Sequence, residues 1–126
     1  MNTELYNKGL KLLNELHGGH SGEALVNAAN DICPDFATMV IEWSFGTILS
    51  RKGTDIKTRE LAIIASCVTL GNAMPQLKAH IEAALNLGVS KEEIVEIILQ
   101  TALYAGFAAV TNAFAVAKEV FNNRGK

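Results

Sequence analysis

Apolar residues recur along this chain at helical spacing, and no stretch alternates apolar with polar positions over the length of a strand. The pattern predicts about six to seven helices. Thr3 is placed to cap a first helix whose apolar positions are Leu5, Leu12, Leu13 and Leu16, ending at Gly18-Gly19. Ser21 is placed to cap a second, through Ala24, Leu25 and Ala28. After Cys33-Pro34-Asp35 a third helix follows through Met39, Val40, Trp43 and Phe45, and SRKGTD is a polar turn. A fourth helix begins near Lys57, with Asp55 as its cap, and runs through LAIIASCVTL to Gly71. It is apolar nearly all round, which implies burial on most sides.

The stretch GNAMPQLKAH is a helix break and restart: Gly71 closes one helix and Pro75, lacking the N–H that a first turn leaves unpaired anyway, opens the next. This fifth helix, PQLKAHIEAALNLG, carries Leu77, Ile81 and Ala84 or Leu85 on one stripe and stops at Gly88. Ser90 with Glu93 three residues on forms a capping box for a sixth helix, EEIVEIILQTALYAG. Gly106 breaks or bends the chain before a last segment, FAAVTNAFAVAKEVF. The expectation is an all-α, compact orthogonal bundle forming one domain over residues 1–126.

Composition sharpens this picture. Apolar residues make up 49% of the chain and aromatic ones only 6%, so the core is expected to be built from Ala, Leu, Ile and Val with helices in close approach. Helices five to seven carry more apolar surface than so small a monomer buries, which predicts a homo-oligomer. The net charge of −2, with both signs interspersed, offers no basic stripe for phosphates and argues against a nucleic-acid partner. The N-terminus, MNTELYNKGLKLL, lacks the grammar of a signal peptide, and no run reaches the ~18 apolar residues of a membrane span. A cytoplasmic protein without a membrane partner is expected. Cys33 and Cys67 stand in no metal-ligand spacing and read as reduced, mostly buried thiols.

Three places bear on chemistry. His17 and His20 flank a Gly-Gly pair without a nearby carboxylate or cysteine, a poor metal site; His17 suits the negative end of the first helix. Glu60, in the first turn of the fourth helix, either stabilises the helix dipole or acts in a site. Arg51, Lys52, Lys57 and Arg59 around it form either a solvated charge cluster or a corner that binds carboxylates, a task for which arginine's fork is suited. His80 reads from residue types as a packed histidine with one nitrogen satisfied, or as a proton-transfer group, since imidazole is the side chain that titrates near neutrality.

SRKGTDIKTRELAIIA, followed by QLKAHIEAALNLGVSKEEIVEIILQTALYAGFAAVTNA, resembles the carboxymuconolactone decarboxylase family, part of the wider group with the alkylhydroperoxidase D-like proteins. The first stretch is similar to the family's R-x-x-L-D-x-K-x-R-E-L opening, with Ile56 near the usual leucine. The second matches its L-x-x-H and Y-A-G-F-P-A run, with Ala108 in place of the proline. The resemblance covers about Gly46 to Phe121. Peroxidase-type relatives place a Cys-x-x-Cys before the histidine; counted back from His80 those positions are Ala73 and Gln76, so the resemblance is to the thiol-free branch.

That resemblance implies an all-helical oligomer, commonly a trimer-based hexamer, acting in aromatic-compound breakdown. The implied reaction removes CO₂ from 4-carboxymuconolactone, or a similar small acidic lactone, with no cofactor and no metal. It implies His80 as proton donor, Glu60 as the group that orients or recharges it, Arg51 and Arg59 as carboxylate holders, Trp43 as an apolar wall and Tyr104 as a hydrogen-bond donor. Two other readings stand beside it: a thiol-dependent antioxidant protein using Cys67, and a non-catalytic oligomeric binding protein. Helix geometry sets a condition on the proposed pair. In a simple antiparallel hairpin about Asn72, His80 faces Ala65, so a contact with Glu60 requires a tilted crossing, a bridging water or a neighbouring subunit.

Overall fold

The computed structural model describes residues 2–124, and every regular element among them is helical. The backbone divides into two compact units, Met1–Ile56 and Lys57–Lys126.

The first unit holds α1 (Glu4–His17), α2 (Ser21–Ala29) and α3 (Phe36–Met39), the last continuing directly into a π-helical segment, Val40–Ile48. Thr3 caps α1 as expected, accepting from the Tyr6 N–H at 2.9 Å, and its hydroxyl donates to Glu42, which ties the start of α1 to the π-helical segment. Ser21 does not cap α2. It is the first helical residue, and its hydroxyl turns back to acceptors at the end of α1, among them the Gly18 carbonyl and Asn14 Oδ1 (3.1 Å). A serine beside a helix end can satisfy either orphan N–H or orphan carbonyl groups, and sequence does not say which.

The third predicted helix takes an unexpected form. Beyond Met39 the chain bonds five residues back: the Leu49 N–H donates to the Ser44 carbonyl at 2.8 Å. Thr47 Oγ1 donates to the Glu42 carbonyl at 2.9 Å, and Ser50 Oγ donates to that of Phe45. These hydroxyls occupy carbonyls across the widened turn. Ala37, Ile41 and Phe45, four residues apart, face the interior, and Met39 and Trp43, two residues off that register, point outward at 56% and 66% exposed. The π-helical segment packs along α1 at Gly9 and Gly46. A Cβ on Gly9 would stand 2.0 Å from the Ile41 carbonyl oxygen and 2.9 Å from the Gly46 nitrogen, so only glycine permits this approach.

The second unit comprises α4 (Ile56–Leu70), whose first residue closes the first unit, α5 (Met74–Asn86), α6 (Lys91–Gln100), α7 (Ala102–Ala105) and α8 (Phe107–Arg124). Pro75 lies in the first turn of α5, and Ser90 accepts from the Glu93 N–H at 3.1 Å, as the restart and cap signals predict. The expected sixth helix is interrupted at Thr101, whose Oγ1 donates to the Ile98 carbonyl at 2.7 Å and competes with the helical ladder. Gly106, at φ 89°, makes the following break without a proline after Phe107. α8 packs on α5, α6 and α7 around Ile64, Val68, Leu77, Ile81, Ile94, Ile98, Val110, Ala113, Ala117 and Val120. Each large aliphatic chain fully buried there contributes about 1.5–3 kcal/mol before entropy is counted. Ala113 and Ala117 leave room for close approach, the use expected of an alanine-rich, aromatic-poor sequence.

α4 is less enclosed than its composition implies. Ile64, Cys67 and Val68 are buried, but Ala62, Ser66, Thr69 and Leu70 are exposed. Ser66 and Thr69 donate to the Ala62 and Ala65 carbonyls at 2.9 and 3.0 Å, so this face satisfies its own hydroxyls. Of the two thiols, Cys67 is buried, whereas Cys33 is exposed in the turn before Pro34, contrary to the expectation for it; both are free. No helix among the described residues is long and apolar enough to cross a membrane.

Candidate active site

The buried face of α4 begins with a charge. Glu60, Ile64, Cys67 and Val68 follow one another at helical spacing, and Glu60 has no exposed surface. An ionised carboxylate in such a place is costly unless paired and hydrogen-bonded. Its partner comes from α5, where Leu77, Ile81 and Ala84 face the core and His80 lies beside them with its side chain 17% exposed. His80 Nδ1 and Glu60 Oε1 are 2.7 Å apart. The contact is direct and lies within one chain, so it needs neither a bridging water nor a neighbouring subunit.

The hydrogen bond fixes the chemistry of the ring. An ionised Glu60 only accepts, so Nδ1 carries the hydrogen in this pair. The same carboxylate pins the ring's orientation, as a carboxylate does behind a metal-bound or catalytic imidazole. Glu60 Oε2 is buried and without a hydrogen-bond partner among the described residues. One oxygen of the carboxylate is thus committed to the imidazole, while the other is held away from bulk water.

Cys67, two turns after Glu60, was not singled out as part of this arrangement. Burial pushes its thiol above the ordinary cysteine range, and the Glu60 carboxylate raises it further. Both effects oppose the thiolate that peroxidase chemistry requires. The seven-residue spacing from Glu60 was the available signal, since residues seven apart share a helix face.

Arg59 is half-buried in the first turn of α4, next to Glu60 in sequence. Tyr104 projects from α7 almost wholly into solvent. Arg51 and Trp43 belong to the first unit. Arg51 is exposed in the turn after the π-helical segment, and its N–H donates to the Ile48 carbonyl at 3.2 Å. Trp43 lines an apolar groove of about 610 Å³ with Leu5, Phe36 and Met39. His17 ends α1 with its ring edge-on to Phe45, centroids 5.9 Å apart.

Comparison with known proteins decides the family. A family model described as "Carboxymuconolactone decarboxylase family" matches residues 34–119. This chain belongs to that family. The 4-carboxymuconolactone decarboxylase of Acinetobacter baylyi is 38% identical over 99% of this chain and 93% of its own length. A nitrosuccinic acid decarboxylase of Metarhizium robertsii is 27% identical over 98% of the chain and 85% of its own. An uncharacterized 15.0 kDa protein of Paracoccus denitrificans is 33% identical over 76% of the chain and 72% of its own. The relatives thus include proteins named for two different acids, and similarity alone does not choose between them.

Proposed function

We propose that this protein is a decarboxylase of 4-carboxymuconolactone or a similarly small acidic lactone, that it works without a cofactor, and that His80 delivers the proton that replaces CO₂. The observation that carries the reading is the 2.7 Å hydrogen bond from His80 to a fully buried Glu60. The near full-length similarity to a 4-carboxymuconolactone decarboxylase supports the substrate class.

The substrate carries its own electron sink. When the bond between the ring carbon and the carboxylate breaks, the electron pair runs through the conjugated double bond into the lactone carbonyl, and CO₂ departs. The dienolate left behind takes one proton at carbon. A protonated His80 supplies it from Nε2 and becomes the neutral ring with its remaining hydrogen on Nδ1, facing the Glu60 carboxylate. Solvent returns the proton through the partly exposed imidazole, so each turnover consumes one proton and releases one CO₂. Glu60 has no exposed surface, which favours its orienting role over recharging. Arg59 is the cation nearest to Glu60 in sequence and is proposed to hold a substrate carboxylate in a bidentate clamp. The thiol-dependent alternative is disfavoured by the buried, proton-retaining Cys67.

The test is CO₂ release from 4-carboxymuconolactone by the wild type, His80→Ala and His80→Gln. The glutamine variant keeps an N–H donor for Glu60 but has no proton to give. The expected result is turnover by the wild type and a loss of at least ~100-fold in both variants, the usual scale of a general acid. A folded wild type that releases no CO₂ overturns the substrate assignment. Full activity in His80→Gln overturns the proton-donor role.

A further inference from the structure

Two lysines of the second unit, Lys91 and Lys118, stand without a carboxylate partner among the described residues, and the sequence explains why. A charged side chain on a helix meets its neighbours three and four residues away. Lys91 is followed at those spacings by Ile94 and Val95, and Lys118 is flanked by Phe114, Ala115, Phe121 and Asn122. The other cations on these helices are engaged: Lys78 pairs with Glu119 at 3.0 Å, and Arg124 donates to Asn86 Oδ1 at 3.0 Å. The residues that leave the two lysines unpaired also shape a groove between α6 and α8. Val95, Phe114, Ala117, Lys118, Phe121 and Asn122 line a volume of about 370 Å³ there. Ala117 is buried and Val95, Phe114 and Phe121 are half-buried, so the floor is hydrocarbon. Lys91 Nζ lies 5.6 Å from the centroid of the Phe121 ring, which brings a second ammonium to the groove's edge.

We propose that this α6–α8 groove is a second ligand site, sharing no residue with the Glu60–His80 pair, and that it takes a small planar organic acid: one carboxylate on a ring-sized hydrocarbon body. Three observations favour that occupant. First, size: small-molecule sites occupy roughly 300–1,000 Å³, and this groove, near the lower end, suits a ligand of one or two rings. Second, surface: the floor is apolar and carries two half-buried phenylalanine rings, against which a flat apolar body packs at low conformational cost. Third, charge: the polar groups at the rim are two ammoniums and the Asn122 amide, all able to donate, and a carboxylate only accepts. The lysine stems cover hydrocarbon while their heads stay in water, so an anion reaches them without burial of an unpaired charge. Glu92 and Glu96 do not cancel this bias at the groove wall, since each stands about 100° round the helix from its neighbour, Lys91 or Val95. The larger groove at Trp43 offers no such recognition: its one charge, Glu42, already accepts from Thr3.

The test uses the full chain and 2-naphthoate as the probe, with 2-naphthylmethanol as its neutral counterpart. Binding is followed at low ionic strength in methyl and side-chain amide NMR spectra, where Val95, Ala117 and Asn122 report the groove and Ile81, beside His80 in sequence, reports the catalytic helix. The expected result is a saturable shift at the groove reporters with a dissociation constant on the order of 1 mM, the strength available to so small a ligand. The alcohol should bind several-fold more weakly. Lys91→Gln with Lys118→Gln should weaken naphthoate about tenfold and abolish the preference for it over the alcohol, since two exposed charges contribute modestly and together. Both lysines are exposed, and circular dichroism checks that the variant keeps its helices. His80→Gln should leave the groove shifts as they are. No shift at the groove reporters at about 10 mM naphthoate overturns the proposal. So do shifts confined to Ile81, groove shifts lost in His80→Gln, and an alcohol that binds as tightly as the acid. Binding unchanged in the double lysine variant overturns the role given to the two ammoniums and with it the choice of an acid.

Discussion

Between Gly9 and Ile41 two stretches of backbone nearly touch, whereas from Ile64 to Val120 the second unit is filled by interlocking side chains. The first unit gains its closest contact by having no side chain at all. It keeps Ile41 and Phe45 inside and leaves Trp43, Met39 and Ile32 largely exposed. The second unit spends its apolar residues on a continuous core and then places one carboxylate within the same layer of helices. The contrast separates two kinds of sensitivity. A backbone contact tolerates no added atom, while a side-chain core tolerates changes of shape but penalises a charge left alone.

The largest expected effect follows from the glycine contact. Gly9→Ala pushes a methyl group into a carbonyl oxygen of the main chain, which cannot rotate away, so the cost should exceed the ~1–3 kcal/mol usual for overpacking. Gly22→Ala is the control. Its Cβ would meet the end of the Leu10 side chain at 2.4 Å, and that chain can change rotamer. Urea unfolding followed by Trp43, the sole tryptophan and a reporter of the first unit, should show a large loss for Gly9→Ala and at most about 1 kcal/mol for Gly22→Ala. Equal losses would show that the first unit does not depend on backbone contact at Gly9.

Next in size is the buried pair. His80→Ala strands the Glu60 carboxylate and should cost about 3–5 kcal/mol near neutral pH. Glu60→Leu removes the charge instead and should be close to neutral or stabilising, because a hydrophobic residue of similar volume suits the surrounding core. Both variants should lose catalysis. Thermal unfolding alongside CO₂ release separates the two: a stable, inactive Glu60→Leu marks a residue retained for chemistry at no benefit to folding. A strongly destabilised Glu60→Leu would instead make the pair part of what holds the second unit together.

Much of the second unit was legible in the sequence because its signals are local. Pro75, Ser90 and Gly106 act through the backbone of their own turn, and helix ends fall where they predict. The π-helical segment was not legible. Its five-residue bonding depends on hydroxyls at Thr47 and Ser50 and on the approach of Gly9, which no 3.6-residue pattern encodes. The Glu60–His80 contact was legible only through family resemblance, since spacing along two helices says nothing about how they cross. The exposure of Tyr104 followed from the breaks at Thr101 and Gly106, of which only the second was expected.

A smaller effect concerns the two thiols. Iodoacetamide should modify exposed Cys33 promptly and Cys67 only on unfolding or at higher pH. In the folded state the Cys67 thiol holds its proton above the ordinary range, from burial first and Glu60 second. Above that ordinary value the unfolded chain has lost a proton that the folded chain keeps. The stability contributed by the neutral thiol is therefore complete below it and declines as pH rises toward the folded value. Cys67→Ala should remove this alkaline decline. A decline unchanged in that variant assigns it to other groups.

The smallest effect is expected where the geometry looks most similar to the active pair. Lys78 Nζ lies 3.0 Å from Glu119 Oε1, close to the Glu60–His80 distance, but its two side chains are 44% and 55% exposed. The hydrogen bond, then the charge, of Glu119 raises the lysine above its ordinary value, so any stability the pair contributes is present below that value and fades as pH rises through the raised one. Water and salt already solvate both ends, and ordering two long side chains opposes the attraction. Lys78→Ala and Glu119→Ala should each leave the melting temperature within measurement scatter, and their double-mutant cycle should show no coupling in 0.5 M salt. A clear coupling that persists there would mean that depth is not what distinguishes the two pairs, and would remove the reason for assigning chemistry to one and only solvation to the other.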